Sequence, residues 1–467
     1  MRPTATYGWA TIRSRCTREE AWIVIDGGVY DVTRFLQRHP GGAGPLVAYA
    51  GRDATDAFVN YHDAKVHAQL AEFAIGRLDE RERQPPPAHV ADFRALRRDL
   101  ARRGLFQTSG RYYARLCAWY ALLLATALHL SLNCTQLGAR MLGAVALGLF
   151  WQQLAGLGHD LGHSAVTHHF WTDHFIGSAL SALMGLSVCW WKNDHNTHHV
   201  ACNAIEHDPN VQHLPLLAIT DKIFRRARFW DTYHRRWVGM GDAARFFVTR
   251  QHLLLYPLLA VGRWNLYAQS VAYILHRPDA AHFWRTEAVG IGFFFWWVSR
   301  IATTMPTWPL AAAWVMLAHA VAGILHVQIV LSHWPMHAYQ GHPRDDWYLA
   351  TLRTTMNVRT PERLDWMHIG LQFQIEHHLF PRVPRHNLRT VRDLVQPVVE
   401  KHFPTGSVAC RRAFGRNAAY HESSFLDANL QMWRALRATA QTARRTVRHR
   451  RGYWHAATSP PPSPLAS

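Results

Sequence analysis

Thirty-two of the 467 residues are histidine, the commonest metal-binding side chain, and their spacing is the first chemical signal. His159-Asp160-Leu161-Gly162-His163 puts two imidazoles at i and i+4. His195-Asn196-Thr197-His198-His199 puts three at i, i+3 and i+4, and Gln374-Ile375-Glu376-His377-His378 repeats that spacing with glutamine first. On a helix such offsets share one face, so a single ion can take several ligands from a few turns. One HxxxH pair alone is more often ordinary packing, but three clusters together point to metal. With His333 they supply eight imidazoles, too many for one tetrahedral zinc, and no helical HExxH is present. Two metal ions are implied, and imidazole accepts iron, copper, nickel or zinc alike.

A second constellation lies near the N-terminus. Phe35-Leu36-Gln37-Arg38-His39-Pro40-Gly41-Gly42 ends in a proline and two glycines that can hold His39 at a helix entrance, and His62 follows 23 residues later. Two imidazoles from opposite walls of an apolar pocket close both axial positions of a haem and leave it to carry electrons.

The elements that must position these groups fall into two parts. Residues 7–79 read as a compact α+β module. In it Trp22-Ile23-Val24-Ile25 and Val29-Tyr30-Asp31-Val32 flank Asp26-Gly27-Gly28, a hairpin signal. The proline-rich stretch ERERQPPPAH (residues 80–89) predicts a semi-rigid spacer at a domain boundary. Residues 80–110 then serve as linker and amphipathic entry segment. Leu116–Asn133 pairs with Met141–Leu157, and Glu287–Met305 with Pro309–Leu331, as apolar runs approaching the roughly 20 residues a span requires. Phe175–Trp190 covers only about 24 Å as a helix against a hydrocarbon core of about 30 Å, and predicts a re-entrant or interfacial segment. Residues 213–286, with short apolar runs among arginines, predict amphipathic helices lying on the membrane surface. With two spans before His159 and two between the second and third clusters, all three clusters and His333 face the side that holds the N-terminus.

Composition narrows the class. A formal charge of +19 would suit nucleic acid or an anionic membrane surface. Once spans are recognised, arginines beside a bilayer account for it, and no nucleic-acid partner is expected. A mean hydropathy of −0.16 hides the apolar runs by averaging them with Arg- and His-rich segments. Cys16, Cys117, Cys134, Cys189, Cys202 and Cys410 form no CxxC and no regular pattern, so neither a zinc ribbon nor a disulfide framework is indicated. No apolar h-region follows the N-terminus, so no cleaved secretory signal is expected. Seven arginines lie between Arg434 and Arg451, and residues 406–467 read as a basic, partly disordered tail.

These residues carry a resemblance. Val29-Tyr30-Asp31-Val32-Thr33, His39-Pro40-Gly41-Gly42 and Gly51-Arg52-Asp53-Ala54-Thr55-Asp56-Ala57-Phe58 resemble a cytochrome b5 domain. The three clusters resemble the histidine boxes of cytochrome b5-fused front-end membrane desaturases, whose third box begins with Gln. Trp190-Trp191-Lys192-Asn193-Asp194 and Glu206-His207-Asp208-Pro209-Asn210 look most like fungal sphingolipid Δ8 desaturases. The implied fold is an α+β cytochrome b5-like domain followed by an all-α polytopic membrane desaturase domain (residues 111–405). It would have about four transmembrane helices and a cytosolic histidine-box cap.

The resemblance implies haem b on His39 and His62. It implies two non-haem irons on His159, His163, His195, His198, His199, His333, His377 and His378, with Gln374 as a weak ligand or the holder of a bound water. Asp160, Asn196 and Glu376 would orient imidazoles, while His168, His169 and His207 fall outside the pattern. The implied reaction inserts a double bond at carbon 8 of a ceramide long-chain base, in the endoplasmic reticulum membrane. It would use O2 and electrons from NADH through cytochrome b5 reductase. The alternatives are a Δ5/Δ6 acyl-lipid or acyl-CoA desaturase and, in another class, an inactive haem-binding electron carrier. A fatty-acid 2-hydroxylase also joins cytochrome b5 to histidine clusters, but without the Gln-initiated spacing.

Overall fold

Asp26 and Gly27 both adopt positive φ, 50° and 74°, the geometry a two-residue hairpin turn requires. They join β2 (Trp22–Ile25) to β3 (Gly28–Asp31) in an antiparallel pair. With β1 (Thr6–Tyr7), β4 (Arg52–Asp53) and β5 (Ala74–Leu78) these strands form one sheet in the order β1-β5-β3-β2-β4. The predicted α+β module is thus present in this computed structural model, which describes residues 5–225, 228–276, 282–341, 345–415 and 417–449.

No helix or strand occupies residues 80–87, as the prolines predict, and helix α1 (Ala88–Arg102) then begins. Its buried face of Val90, Phe93, Leu96 and Leu100 joins the two parts of the chain rather than spacing them. Arg94 makes a fork to Asp56 at 2.7 and 3.0 Å, and Arg97 donates to Asn60 and to the Val59 carbonyl. One apolar core consequently runs from Ile23, Leu36 and Val47 of the sheet module to Phe373, Leu379 and Val391 of the second part.

Among the described residues three helices are long and apolar enough to cross a membrane: α2 (Gly110–Leu132), α3 (Leu137–Gly162) and α8 (Trp308–Leu331). A fourth crossing exists if α4 (Phe170–Met184) and α5 (Val188–Val200) count as one span, although they bend by 113°. That bend answers the prediction that Phe175–Trp190 is too short to cross. The predicted span Glu287–Met305 lies largely within helix α7 (Trp284–Ala302), which falls short by composition because it carries Arg285, Glu287 and Arg300. Its outward Val289, Phe293 and Trp296 are nonetheless exposed, as lipid-facing side chains are. Glu287 turns inward and accepts from Ser178 Oγ, Ser187 Oγ and the Cys189 N–H at 3.1, 2.5 and 2.9 Å, tying α7 to the bend.

Two sequence expectations are corrected. Among its described residues the 213–286 stretch is not a succession of amphipathic helices. It contains a hairpin (Arg228–Asp231 with Arg236–Gly239), the short helix Asp242–Val248 and the 26-residue helix α6 (Gln251–His276). Arg263, whose charge suggested a surface, is 1% exposed. Its guanidinium donates to Tyr267 Oη and to the Met184 carbonyl at the bend, both at 2.7 Å. The basic tail is ordered as far as residue 449. Glu422–Ser424 pairs in parallel with Asn357–Arg359, and helix α11 (Phe425–His449) buries Ala428, Met432, Leu436, Ala440 and Ala443 while Arg434, Arg437, Arg444 and Arg445 face outward. Residues 450–467 lie outside the described residues. Between these elements, α9 (Gln374–Leu379) carries the third cluster and α10 (Leu388–His402) packs beside α1.

Candidate active site

The first cluster sits at the end of a long apolar helix, and the others lie on shorter elements. His159 lies in the last turn of α3 with His163 just beyond it. His195, His198 and His199 line the end of α5, His333 follows α8, and Gln374, His377 and His378 lie on α9. The fold brings all eight imidazoles together. His159 lies 4.8, 5.1 and 4.4 Å by ring centroid from His163, His195 and His377. His198, His333 and His378 form a second triangle with edges of 4.8, 5.1 and 4.7 Å. His199 stands between the groups, 3.0 Å from His195 by their Nε2 atoms and stacked on His378 at 3.9 Å. Ligand-capable atoms of His159, His163, His195 and His377 lie within 4.8 Å of one another, as do those of His198, Cys202 and His378.

The donor chemistry fits cations. His159 Nε2, both nitrogens of His163, His199 Nδ1, His377 Nε2 and both nitrogens of His378 are buried without a hydrogen-bond partner. Leaving one such group unsatisfied costs about 1–3 kcal/mol, and a metal ion removes that cost for several at once. Burial and neighbouring imidazoles hold His163, His377 and His378 well below the usual histidine range, and His333 at about 3. These rings are neutral and offer lone pairs, the form a metal takes.

His333 Nδ1 bonds the Thr354 carbonyl at 3.3 Å, so Nδ1 carries the proton. Nε2, a lone-pair atom in that tautomer, then faces Gln374 Oε1, another acceptor, at 3.3 Å. Two acceptors aimed at one place are what a cation relieves. A small cleft at this cluster is lined by His159, Gln374 and His377, by the Asp160–Arg385 pair and by the apolar Ile369, Leu371, Val383 and Leu388.

Several partners were not visible in the spacing. Asp208 accepts from His198 Nδ1 at 3.0 and 3.1 Å, which fixes that ring and its tautomer. The signal was the short acidic stretch after the second box, but only the fold shows which imidazole it meets. Cys202 lies 3.4 Å from His333 Nδ1. Burial and the Asp208 carboxylate push its thiol well up, so it is a neutral neighbour rather than a thiolate. Trp191 stacks on His195 at 4.3 Å.

The three expected orienting residues diverge. Asp160 lies 3.7 Å from His159 Nδ1, while its other oxygen accepts from Tyr113 Oη and Arg385 Nε, both at 2.6 Å. Glu376 does not meet an imidazole. It accepts from Tyr420 Oη at 2.6 Å and Asn357 Nδ2 at 2.8 Å, because a helix that aims residues 374, 377 and 378 inward turns 376 away. Burial pushes its carboxyl up to about 7. Asn196 turns toward the sheet module and donates to the Gly41 carbonyl at 3.3 Å. Outside the pattern, His168 bonds Thr108 Oγ1 at 2.9 Å and His169 caps α4.

In the sheet module, His39 and His62 face each other with ring centroids 6.1 Å apart. His39 Nδ1 donates to the Gly42 carbonyl at 2.7 Å and His62 Nδ1 to the Phe58 carbonyl at 3.0 Å. Both Nε2 atoms therefore keep their lone pairs. Burial and the neighbouring His39 hold His62 at about 3, and burial also lowers His39. This pair fits the two axial positions of a haem. Gly42, at φ 89°, presses its α-carbon against Asn193 of α5, where any side chain would overlap the Asn193 amide. The haem-type loop thus rests directly on the helix of the second histidine box.

A metal-binding membrane protein with its own electron-carrying module is the class these two sites define. The chain belongs to the fatty acid desaturase family, which it matches over residues 137–406, and it carries a cytochrome b5-like haem/steroid binding domain over residues 8–79. It is an oxidoreductase of the di-iron desaturase type. It is 34% identical to a Delta(8)-fatty-acid desaturase of Helianthus annuus over 91% of this chain and 89% of that protein. With an Acyl-lipid (9-3)-desaturase of Borago officinalis it shares 33% over 91% of each. With a Delta 8-(E)-sphingolipid desaturase of Kluyveromyces lactis it shares 36% over 73% of this chain and 59% of that protein.

Proposed function

We propose that this chain is a sphingolipid Δ8 desaturase that inserts a double bond at carbon 8 of the long-chain base of a ceramide. The observation that carries the reading is the meeting of two neutral imidazole groups beside a partly apolar cleft, on a helix whose Asn193 and Asn196 touch the loop of the haem-type histidine pair. Plant and fungal relatives bearing Δ8 names support the position of the bond.

In this reading His159, His163, His195 and His377 hold one iron, and His198, His333 and His378 the other. His199 stands between them and Gln374 beside His333. The iron pair, when bound, supplies the activation of dioxygen that removes hydrogen from two adjacent methylenes. The protein's own contribution is positional. Asp208 keeps the His198 Nε2 lone pair turned inward, and Trp191 fixes the plane of His195. Ile369, Leu371 and Leu388 offer an aliphatic chain apolar contacts beside His159 and His377. His39 and His62 would hold haem b, which would supply electron transfer from NADH by way of cytochrome b5 reductase. The chain lies in the endoplasmic reticulum membrane, with its N-terminus and histidine boxes on the cytosolic side.

A second reading, a front-end Δ5/Δ6 acyl desaturase, uses the same residues, and the likeness to the Borago acyl-lipid enzyme favours it. Mass-spectrometric location of double bonds in sphingoid bases and fatty acids of an expressing host, beside a His198→Ala control, separates the two. The expected product is an 8-unsaturated sphingoid base absent from the control. A new Δ5 or Δ6 fatty acid instead would overturn the substrate and leave the metal roles standing.

A further inference from the structure

The stretch Trp190-Trp191-Lys192-Asn193-Asp194 opens the helix of the second histidine box, and four of its side chains have visible duties. Trp190 is packed in the interior, Trp191 stacks on His195, Asn193 meets Gly42 and Asp194 accepts from Asn210 at 2.6 Å. Lys192 has none that accounts for a buried charge. It is 6% exposed, its ammonium sits 3.9 Å from the centre of the Phe170 ring, and no carboxylate among the described residues pairs with it. Burying an ammonium without an anionic partner is costly, and one contact with an aromatic face offsets only part of that.

Arg382, four residues after His378, repeats the anomaly. Its Nε is buried without a partner, and it forms no ion pair among the described residues. Both cations belong to the desaturase part of the chain, and their elements meet the haem-type histidines: Gly42 lies against Asn193, the neighbour of Lys192, while Arg97, which donates to Val59 and Asn60 just before His62, lies over Phe106, which packs on Phe380 two residues before Arg382. The Lys192 charge disfavours a proton on His39, and the Arg382 charge disfavours one on His62. The carboxylates that act on Arg382 are Asp63 and Asp173, and Asp173 also acts on Lys192. Asp173 is occupied, accepting from the Thr167 N–H at 2.9 and 3.1 Å and from the Val166 N–H at 3.3 Å. Asp63 accepts from the Lys65 N–H at 2.9 Å. Two positive side chains without an anion partner among the described residues therefore stand near the His39–His62 pair, and haem b, the ligand read there, carries two carboxylates.

We propose that Lys192 and Arg382 pair with the two propionate carboxylates of haem b, so that the haem is held by histidines of one unit and by cations of the other. The haem then serves as a clasp between the units as well as an electron carrier, and charge-assisted hydrogen bonds supply the grip. This rests on the reading of His39 and His62 as haem ligands.

The test uses the full-length protein in lipid nanodiscs, as wild type and as Lys192→Met, Arg382→Gln and Lys192→Arg. Each protein is loaded with haem b or with its dimethyl ester, whose propionates carry no charge. Haem transfer to apomyoglobin and the haem midpoint potential are read. Lys192→Met and Arg382→Gln each release haem b about tenfold faster, the scale of one lost charged hydrogen bond, and their potentials shift negative because a cation near the iron is gone. Lys192→Arg restores both values. Wild type releases the ester as fast as the variants release haem b, and the substitutions add nothing further with the ester.

Wild-type release rates in both charge-removing variants overturn the proposal, as do substitution and ester effects that multiply. The ester arm needs no substitution, so it decides the matter even if a variant fails to fold. Loss of the low-spin bis-imidazole spectrum from wild type would overturn the haem reading itself. Its presence with unchanged release would overturn only the clasp.

Discussion

The haem-type pair and the histidine-box cluster are both made of neutral, buried imidazoles, yet they are held in opposite ways. In the pair, each Nδ1 is tied to a backbone carbonyl within four residues, Gly42 for His39 and Phe58 for His62. Each ring has one free nitrogen, and local turns set its direction. In the cluster, His163 and His378 have no partner at either nitrogen, and the carboxylate that holds His198 comes from ten residues away. Local hydrogen bonds therefore prepare the first site before its ligand arrives, whereas the second depends on four separated segments meeting. A one-metal electron carrier gains from fixed ligands. A two-metal centre that must admit a substrate chain leaves more of its geometry to the ions themselves.

The largest effects come from removing ligands, and they fall on one site at a time. His198→Ala or His377→Ala lowers product formation by about 100-fold or more, since loss of even an orienting partner costs 10–100-fold. Non-haem iron measured by plasma mass spectrometry falls with it, while the haem Soret band stays. His39→Ala and His62→Ala give the converse, loss of the Soret band with non-haem iron kept. Simultaneous loss of both from either set would mean that the two sites do not assemble independently.

Asp208→Asn comes next. The amide keeps the size of the side chain but loses the charge that holds the His198 Nδ1 proton, and a fall of about 10–100-fold in iron affinity or activity is expected. No equivalent exists in the haem pair, because its Nδ1 partners are carbonyls that no substitution removes. An Asp208→Asn protein with unchanged iron content and rate would show that the cluster needs no charged support.

Protonation separates the sites more gently. Histidines whose folded pKa lies below about 6.5 bind fewer protons folded than unfolded, so stability is full above that pH and falls as pH drops below it. His39 and His62 contribute in the module, and His163, His333, His377 and His378 in the cluster. Thermal unfolding of iron-depleted, haem-loaded protein between pH 8 and 5 should therefore lose Tm more steeply than that of haem-depleted, iron-loaded protein. Equal slopes would contradict the difference in the number of neutral rings each site leaves to titrate.

How far these features can be read from the chain follows the same division. The Asp26-Gly27 turn, His39 before its paired glycines and the i, i+3, i+4 histidines are local patterns, and local geometry realises them. Asp208 meeting His198, Arg385 meeting Asp160 and Cys202 beside His333 are products of the tertiary fold, for which spacing carries no code. The tail was misread for a different reason. Ala428, Met432, Leu436, Ala440 and Ala443 form a buried stripe at helical intervals, but two of those five positions are all the large apolar surface it holds, and the arginines dominate the composition. Arg263 misled in the same way, since an arginine reads as surface until a helix C-terminus and a tyrosine are found to receive it.

The smallest expected effect tests the seam between the two sites. Asn196→Ala removes the 3.3 Å hydrogen bond to the Gly41 carbonyl and touches neither set of imidazoles. A bond of this kind contributes about 0.5–1.5 kcal/mol, a factor of roughly 2–10, and the common core around Ile23, Phe373 and Val391 keeps the units together without it. Haem content, non-haem iron and Tm should stay near wild type. What changes is the register of the His39 loop on α5, and with it the passage of electrons between the sites. Reoxidation of pre-reduced haem on mixing with oxygenated substrate, followed by stopped-flow absorbance, should slow two- to tenfold, while reduction of the same haem by an external donor keeps its rate. If both rates hold, the Gly41 contact is packing alone, and the short path between haem and histidine boxes runs through other atoms of the loop. If both rates fall, the substitution has disturbed the haem pocket rather than the seam. Only the selective loss fits a docking surface whose alignment, and not merely whose closeness, couples a pre-organised haem site to a metal centre assembled from distant segments.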